Sequence, residues 1–297
     1  MKLAVALAVV VTLVAGCGPS PARPRTPEPD QDAVTTEAPA RAALAAAAAN
    51  VVDDGLALPE VRYAVGDRYT VVDDFRIKSR VELSEGESIR YDRNQDTETT
   101  FEVLELDAQG KVSRQRVTFA IDDVRSILDR TAQRETSVIV GKTYVVTEVT
   151  GAITVTDDRG RTPPKAEVAA VRARATESSV DAALDRMYAG RRWNFGERVQ
   201  LGAEALEVVN RAQRDPRTRY TAYAMELRAV ENGVATFAVS WSFDQGTNNG
   251  PLTFQLSGTR EVDVATGRVI RLTLRGPMQG HLGAPVAGEA TTTSHTR

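Results

Sequence analysis

The chain has 297 residues, of which 42% are hydrophobic and 26% charged, a composition typical of a globular protein rather than a disordered or fibrous one. Its 37 Lys and Arg residues against 40 Asp and Glu give a formal net charge of -3, which provides no electrostatic reason to propose a nucleic acid as a partner. The only cysteine is Cys17, which excludes an intramolecular disulfide and a cysteine-based metal site.

The N-terminal segment MKLAVALAVVVTLVAGCGPS has the features of a secretory signal. Lys2 precedes an apolar run from Leu3 to Val14, which is shorter than the roughly 20 residues that a membrane-spanning helix needs. The run ends in VAGC, which resembles the lipobox of bacterial lipoproteins. The resemblance implies cleavage between Gly16 and Cys17, and it implies a diacylglyceryl thioether and an acylated amino group on Cys17.

This resemblance also implies a location. Several acyl chains on one residue hold a protein durably on a membrane, whereas a single chain anchors it only marginally. Gly18 rather than aspartate follows the cysteine, which by the sorting rule of enterobacterial lipoproteins is similar to an outer-membrane address. We expect a signal peptide over residues 1–16 and a protein of the cell envelope that its lipid holds on the outer membrane, facing the periplasm. The alternative is an ordinary secreted protein, cut near the same place, with a spare thiol.

Residues 17–55 are predicted to be the lipidated cysteine and its tether. The segment is rich in Pro, Ala, Thr, Asp and Glu, with prolines at positions 19, 21, 24, 27, 29 and 39. It cannot bury enough apolar surface to fold, and its prolines favour an extended spacer.

Residues 56–297 are predicted to form a β-rich domain, because the dominant pattern there has a period of two. From Tyr69 to Leu83 most odd positions are apolar and most even positions are polar, which predicts a long antiparallel strand with one face in water. Similar alternation recurs over Gln115–Ile121, Thr221–Leu227 and Ala235–Phe243. The Asn232–Gly233 pair predicts a tight hairpin. The expected fold is mainly β, with one or more large, curved antiparallel sheets.

The segment 164–190 breaks this alternation and is rich in helix-forming residues. A helix is predicted from about Val180 to Tyr188, with Ser178 or Ser179 as its cap and Gly190 at its end. One or two helices are therefore expected between two groups of strands, packed on the sheet or joining its halves.

A phrase of seven residues occurs twice. Tyr63–Tyr69, YAVGDRY, matches Trp193–Val199, WNFGERV, and three later landmarks return in the same order. These later pairs are Phe119 with Phe237, Gly141 with Gly258, and Gly151 with Gly267. We interpret the pattern as a duplicated β unit, with copies over about 61–163 and 191–296 and a helical linker over 164–190. Gly66 and Gly196 are then structural turns, and the acid and arginine after each are exposed pairs of little energetic weight.

With the lipobox, this layout resembles a family of bacterial envelope lipoproteins of uncharacterised activity. The shared features are a VGD turn with a nearby aromatic residue, a two-copy β pattern and a helical middle segment, over most of residues 61–276. The resemblance implies no catalytic residue and no substrate.

Nothing in the sequence assembles a catalytic or metal site. His281 and His295 have no partner pattern for nucleophilic catalysis, and no G-x-S-x-G motif occurs. Trp193 and Trp241 are expected in the core. Three pairs of adjacent carboxylates would point to opposite faces of a strand or lie in a turn, so none is expected to hold an ion: Asp73–Asp74, Asp122–Asp123 and Asp157–Asp158. We therefore expect neither an enzyme nor a cofactor.

Two functions remain. The first is a non-enzymatic binding or structural role in the envelope, with the membrane as one partner and a protein or lipid partner unidentified. The alternative is a carrier or receptor for lipid-like molecules that uses the apolar face of a curved sheet, as lipoprotein-carrier proteins do. An apolar cavity of several hundred Å³, lined by odd-numbered strand residues and open at one rim, would favour the carrier.

Overall fold

A computed structural model describes residues 51–52, 55–83, 86–149, 151–213, 217–248 and 250–297. Gly16, Cys17 and the tether up to residue 50 lie outside the described residues. The strands before the long helix are β1 Val51–Val52, β2 Gly55–Ala57, β3 Arg68–Glu82, β4 Ser88–Leu106, β5 Val112–Leu128, β6 Thr131–Thr136, β7 Lys142–Val149 and β8 Ala152–Asp157. After it come β9 Arg192–Trp193, β10 Arg198–Gln200, β11 Thr218–Glu231, β12 Val234–Thr247, β13 Gly250–Asp263, β14 Val269–His281 and β15 Pro285–Thr296. The helices are α1 Lys165–Tyr188 and α2 Ala203–Ala212.

Twelve of these strands form one antiparallel sheet, which confirms the predicted fold class. Its order is β10-β11-β12-β13-β14-β15-β3-β4-β5-β7-β8, with β6 also paired to β5. The sheet is curved but not closed. Strands from the two ends of the domain meet at its centre, where β15 pairs with β3. A second, small sheet joins β1, β2 and β9.

The strand predicted from Tyr69 to Leu83 is confirmed as β3. Ile77, Ser79 and Val81 are buried on its odd face, while Lys78 and Arg80 between them are exposed. The odd residues of β3 lie on the face that packs against α1, and we call this the inner face of the sheet.

Helix α1 begins earlier than predicted, at Lys165 rather than near Val180. Pro164 stands at its N-cap and no side chain caps it, so the prediction of Ser178 or Ser179 as the cap was wrong. Residues 165–176 contain no glycine or proline, and nothing in them ends the helix once Pro164 has set its start. The 24 residues of α1 span about 36 Å, enough to cross much of the sheet.

The helix joins two separate apolar clusters on the inner face. Its N-terminal part contributes the buried Val171 to a cluster with Phe119 and Tyr144. Its C-terminal part contributes Val180 and Leu184 to a larger cluster under β11–β14. Met187 packs half-buried against the same cluster, so Val180, Leu184 and Met187 form an apolar stripe on α1.

Helix α2 was not predicted, because the proposed duplication of the β unit predicts a strand after Gly196, as after Gly66. The strand β10 ends at Gln200 after three residues, and α2 follows from Ala203. The alternation stops at Leu201, and alanine, glutamate and leucine then favour a helix. Its Val209 is buried in the larger cluster.

The two copies of the repeated phrase form the same turn. The Gly66 amide donates a 2.8 Å hydrogen bond to the carbonyl of Val103 on β4, and the Gly196 amide donates a 2.9 Å bond to the carbonyl of Leu227 on β11. Both glycines have positive φ angles, 94° and 76°. The following acid also repeats its role, since Asp67 accepts a hydrogen bond from the Ala64 amide as Glu197 does from the Asn194 amide.

These bonds explain the spacing of glycine and acid within each phrase. One pair of landmarks differs, because Gly141 lies in a turn before β7 whereas Gly258 lies within β13. The gene duplication itself stays a prediction.

Two further predicted turns are confirmed. Asn232 and Gly233 both have positive φ angles, 51° and 78°, as a hairpin between β11 and β12 requires. Asp157 closes the other turn, where its Oδ1 accepts hydrogen bonds from the amides of Arg159 and Arg161. Within the described residues, no helix is both long and apolar enough to cross a membrane.

Candidate functional site

A cavity of about 230 Å³, partly open to solvent, lies between α1 and the inner face of the sheet. Its lining comes from both halves of the domain and from α1: Val61, Tyr63, Tyr69, Val71, Asp73, Thr97, Thr99, Phe101, Arg174, Leu184, Asp185, Tyr223, Trp241, Arg260, Arg268, Val269, Leu272, Ser294 and Thr296. Most of the strand residues from β3, β4, β11 and β12 carry odd numbers, as expected for a ligand cavity. The lining is mixed rather than purely apolar.

A row of polar residues crosses the inner face beneath this cavity. Arg260 on β13 pairs with Leu272 on β14. At the paired positions of the next strands lie Ser294 on β15, Asp73 on β3, Thr97 on β4 and Asp122 on β5. We call the five polar positions, Arg260, Ser294, Asp73, Thr97 and Asp122, the polar row; Leu272 lies between Arg260 and Ser294. Beyond Arg260 the same line continues into the buried Phe237 and Leu227, so the polar residues lie over the centre of the sheet.

Helix α1 binds the polar row at both ends through buried ion pairs. Arg174 donates to Asp122 at one end, and the Arg174 and Asp122 side chains are 20% and 7% exposed. At the other end Arg260, 7% exposed, donates to Asp185 of α1 and to the hydroxyl of Tyr223 at 3.1 Å. Charges buried this deeply require partners, so the two pairs fix the height of α1 above the sheet.

A third arginine lies at the rim. Arg268 donates to Asp67 at 2.5 Å, and its guanidinium lies 5.0 Å from the centroid of the Tyr63 ring. Hydrogen bonds from the Ala64 amide and from Arg268 lower the pKa of Asp67. Asp67 is half-buried rather than exposed as predicted, and its carboxylate connects the first turn to the β13–β14 turn.

Asp73 lies at the middle of the polar row. The Thr97 hydroxyl donates to its carboxylate at 3.2 Å. Among the described residues no cation pairs with it, in contrast to its neighbour Asp74, which accepts hydrogen bonds from Arg76. Adjacent carboxylates thus face opposite sides of β3, as predicted from the strand period.

Aromatic rings form one wall of the cavity. Tyr69 stacks on Phe101 with 5.1 Å between ring centroids, and Tyr63 lies 5.8 Å from Tyr69. Burial raises the pKa of Tyr69, and the neighbouring Tyr63 raises it further. Its phenol therefore stays neutral at physiological pH and offers a hydroxyl and an aromatic face rather than a charge.

A second group of rings continues the apolar surface beyond the cavity. Trp241 stacks on Tyr220 at 5.4 Å, and Phe243 stacks on Phe254 at 4.6 Å. Trp241, Tyr220 and Phe243 are only half-buried. Trp241 packs against the core cluster as predicted, and its ring also lines the cavity. The prediction for Trp193 is confirmed, since that side chain is 0% exposed.

The other sequence candidates lie outside the cavity. His281 ends β14 and His295 lies on β15 opposite Arg271 and Val72. Asp123 binds Arg134 and Thr136 instead of a neighbouring carboxylate. No group of three or more His, Cys, Asp or Glu side chains that could hold a metal ion occurs in the ranges described.

Comparison with known proteins leaves the family open. No protein-family model matches the chain, and a comparison with curated proteins gives no match. A solved structure titled "Lipid-protein interactions in lipovitellin" is similar over 77% of this chain at 7% identity, with a TM-score of 0.40. The match spans 25% of that protein's chain, and similarity at this level carries no argument about function.

Proposed function

We propose that the protein is a lipid-anchored envelope protein that binds an amphipathic, lipid-like molecule in the cavity between the sheet and α1, without catalysing a reaction. The observation that carries this proposal is the combination of an open cavity with half-buried aromatic rings that extend from it. Small-molecule sites are generally concave, mostly apolar and equipped with a few polar groups that orient the ligand.

The size of the cavity bears on what fits. Its volume of about 230 Å³ is somewhat below the roughly 300–1,000 Å³ of most drug-sized sites. A single hydrocarbon chain suits this space better than a bulky ring system. The half-buried rings of Trp241, Phe243 and Phe75 offer further apolar surface for the rest of the chain.

A purely structural role explains these rings less well. A sheet that served only as a scaffold would gain stability by burying its aromatic side chains, at about 25 cal/mol per Å² of apolar surface. Instead, α1 is joined to the polar row by ion pairs, and a cavity separates the two apolar clusters. This arrangement supports ligand binding over scaffolding.

The anchor belongs to the same proposal. A lipid on Cys17 and a proline-rich tether would keep the domain beside a membrane, where amphipathic ligands are concentrated. Wild-type protein should then fractionate with membranes, and the Cys17→Ser variant should be released from them. Equal membrane association of the two proteins would contradict the anchor.

We expect amphipathic molecules to co-purify with the Cys17→Ser chain, which lacks acyl groups of its own. Organic extracts of the purified protein are analysed by mass spectrometry for near-stoichiometric ligand. Val71→Trp adds an indole to the cavity wall and should abolish this ligand.

Val72→Trp is the matched control, because Val72 is the next residue and lies on the opposite face of β3. Circular dichroism verifies that both variants fold. Extracts without ligand from all three proteins, or equal ligand in all three, would contradict the proposed site.

A further inference from the structure

We propose that the polar row selects an amphiphile whose head group carries a positively charged amino group, with Asp73 as its counter-ion. This inference rests on the proposed function, and it adds the chemical class of the ligand. It follows from the charged residues that line the cavity, from the carboxylates that pair with its arginines and from the groups beside Asp73.

The arginines of the cavity are already neutralised. Each of the three has a carboxylate partner, in the pairs Arg174–Asp122, Arg260–Asp185 and Arg268–Asp67. Asp73 is the fourth carboxylate of this set, and its described partner is a neutral hydroxyl. Asp122 and Asp67 lie outside the lining of the cavity, but they neutralise arginines within it. With these partners counted, three positive and four negative charges leave one negative charge, and that charge lies at the middle of the polar row.

The neighbours of Asp73 suit an ammonium group. Ser294 and Thr97 flank it on the adjacent strands, and their hydroxyls can accept hydrogen bonds from an N–H donor. Aromatic faces attract cations, and Arg268 over Tyr63 is an example at the rim of this cavity. An alkylammonium ion therefore finds a carboxylate, hydroxyl acceptors and π faces within one site.

An anionic head group suits the same site poorly. At Arg174 or Arg260 it would compete with Asp122 or Asp185, the carboxylate that already neutralises that arginine. It would also experience repulsion from Asp73. The carboxylate of Asp73, which no described cation neutralises, thus favours a cation.

Three probes of equal chain length test the inference: decylammonium, decanol and decanoate. Their binding to the Cys17→Ser chain is measured by isothermal titration calorimetry at pH 7, below micelle-forming concentrations. Decylammonium keeps its charge at this pH, because alkylamines titrate like lysine near pH 10.4. We expect it to bind about tenfold more tightly than decanol, the affinity ratio that one modest charge-assisted contact gives, and decanoate to bind most weakly.

Asp73→Asn, made in the same Cys17→Ser chain, should remove the preference for decylammonium and leave the affinity for decanol unchanged. Asp73→Glu should retain the preference. Asp74→Asn is the matched control, because it removes a carboxylate from the opposite face of the same strand, where Asp74 binds Arg76. Thermal unfolding followed by circular dichroism verifies that each variant is folded.

The outcomes separate this inference from the proposed function. Equal affinities for the three probes, or a preference for decylammonium that survives Asp73→Asn, would overturn the charge assignment and leave ligand binding intact. Tighter binding of decanoate would overturn it as well. Failure of all three probes to bind would overturn the proposed function itself.

Discussion

Replacing Trp193 by alanine is expected to lower the free energy of unfolding by about 3–5 kcal/mol, the usual cost of deleting a large aromatic side chain from a core. The Trp193 side chain is 0% exposed. Its ring centroid lies 5.2 Å from that of Tyr188, at the end of α1, and 4.9 Å from that of Phe237 on β12. Its backbone pairs with Leu56 on β2. One side chain therefore joins the small sheet, α1 and the large sheet.

Chemical denaturation of the Cys17→Ser chain with and without Trp193→Ala measures this loss. Phe195→Ala is the matched control, because Phe195 is also aromatic and lies two residues away, but its side chain is 57% exposed. We expect the control to change the free energy of unfolding by about 0.5 kcal/mol or less. Similar losses of stability in the two variants would contradict the claim that the Trp193 side chain packs the small sheet, α1 and the large sheet together.

Replacing Asp185 by asparagine is expected to lower the free energy of unfolding by about 3 kcal/mol, the lower end of the range for breaking a buried ion pair. The Arg260 side chain is 7% exposed and would keep its charge beside the neutral Tyr223 hydroxyl and a neutral amide in place of the carboxylate. The lower end applies because the Asp185 side chain is itself 23% exposed. Denaturation midpoints and slopes measure the loss.

A double variant distinguishes loss of charge pairing from loss of packing. Asp185→Leu with Arg260→Met removes both charges and leaves apolar side chains of similar length, which is often close to neutral for a buried pair. We expect it to be more stable than Asp185→Asn alone. Asp185→Asn with wild-type stability would show that the pair does not hold α1 on the sheet.

The local alternation of residues predicts much of the fold. Tyr69, Val71, Phe75 and Ile77 share one face by period alone, and β3 places them together as expected. Alternation also correctly separates Asp73 from Asp74. The prediction made from the repeated phrase fails after Gly196, where three strand residues are followed by helix-forming residues. A repeated turn does not require the following segment to repeat as well.

The candidate site could not be assembled from the sequence, because its contacts join residues far apart in the chain. Arg174 and Asp122 are 52 residues apart, and Arg268 and Asp67 are 201 apart. A signal was nevertheless present: Asp73 and Arg260 each interrupt an otherwise mainly apolar face of a strand. A charged residue at such a position needs a buried partner or a ligand, and here Arg260 has its partner in Asp185.

The central claim is that a hydrocarbon chain lies between α1 and the inner face of the sheet. Trp241 lines that cavity and Trp193 is fully buried, and these are the two tryptophans of the protein. Single-tryptophan variants of the Cys17→Ser chain, Trp193→Phe and Trp241→Phe, are therefore titrated with a terminally brominated long-chain alcohol, which quenches indole fluorescence on contact. We predict strong, saturable quenching where Trp241 is retained and little where only Trp193 remains. Equal quenching of both tryptophans, or none of Trp241, would contradict the claim.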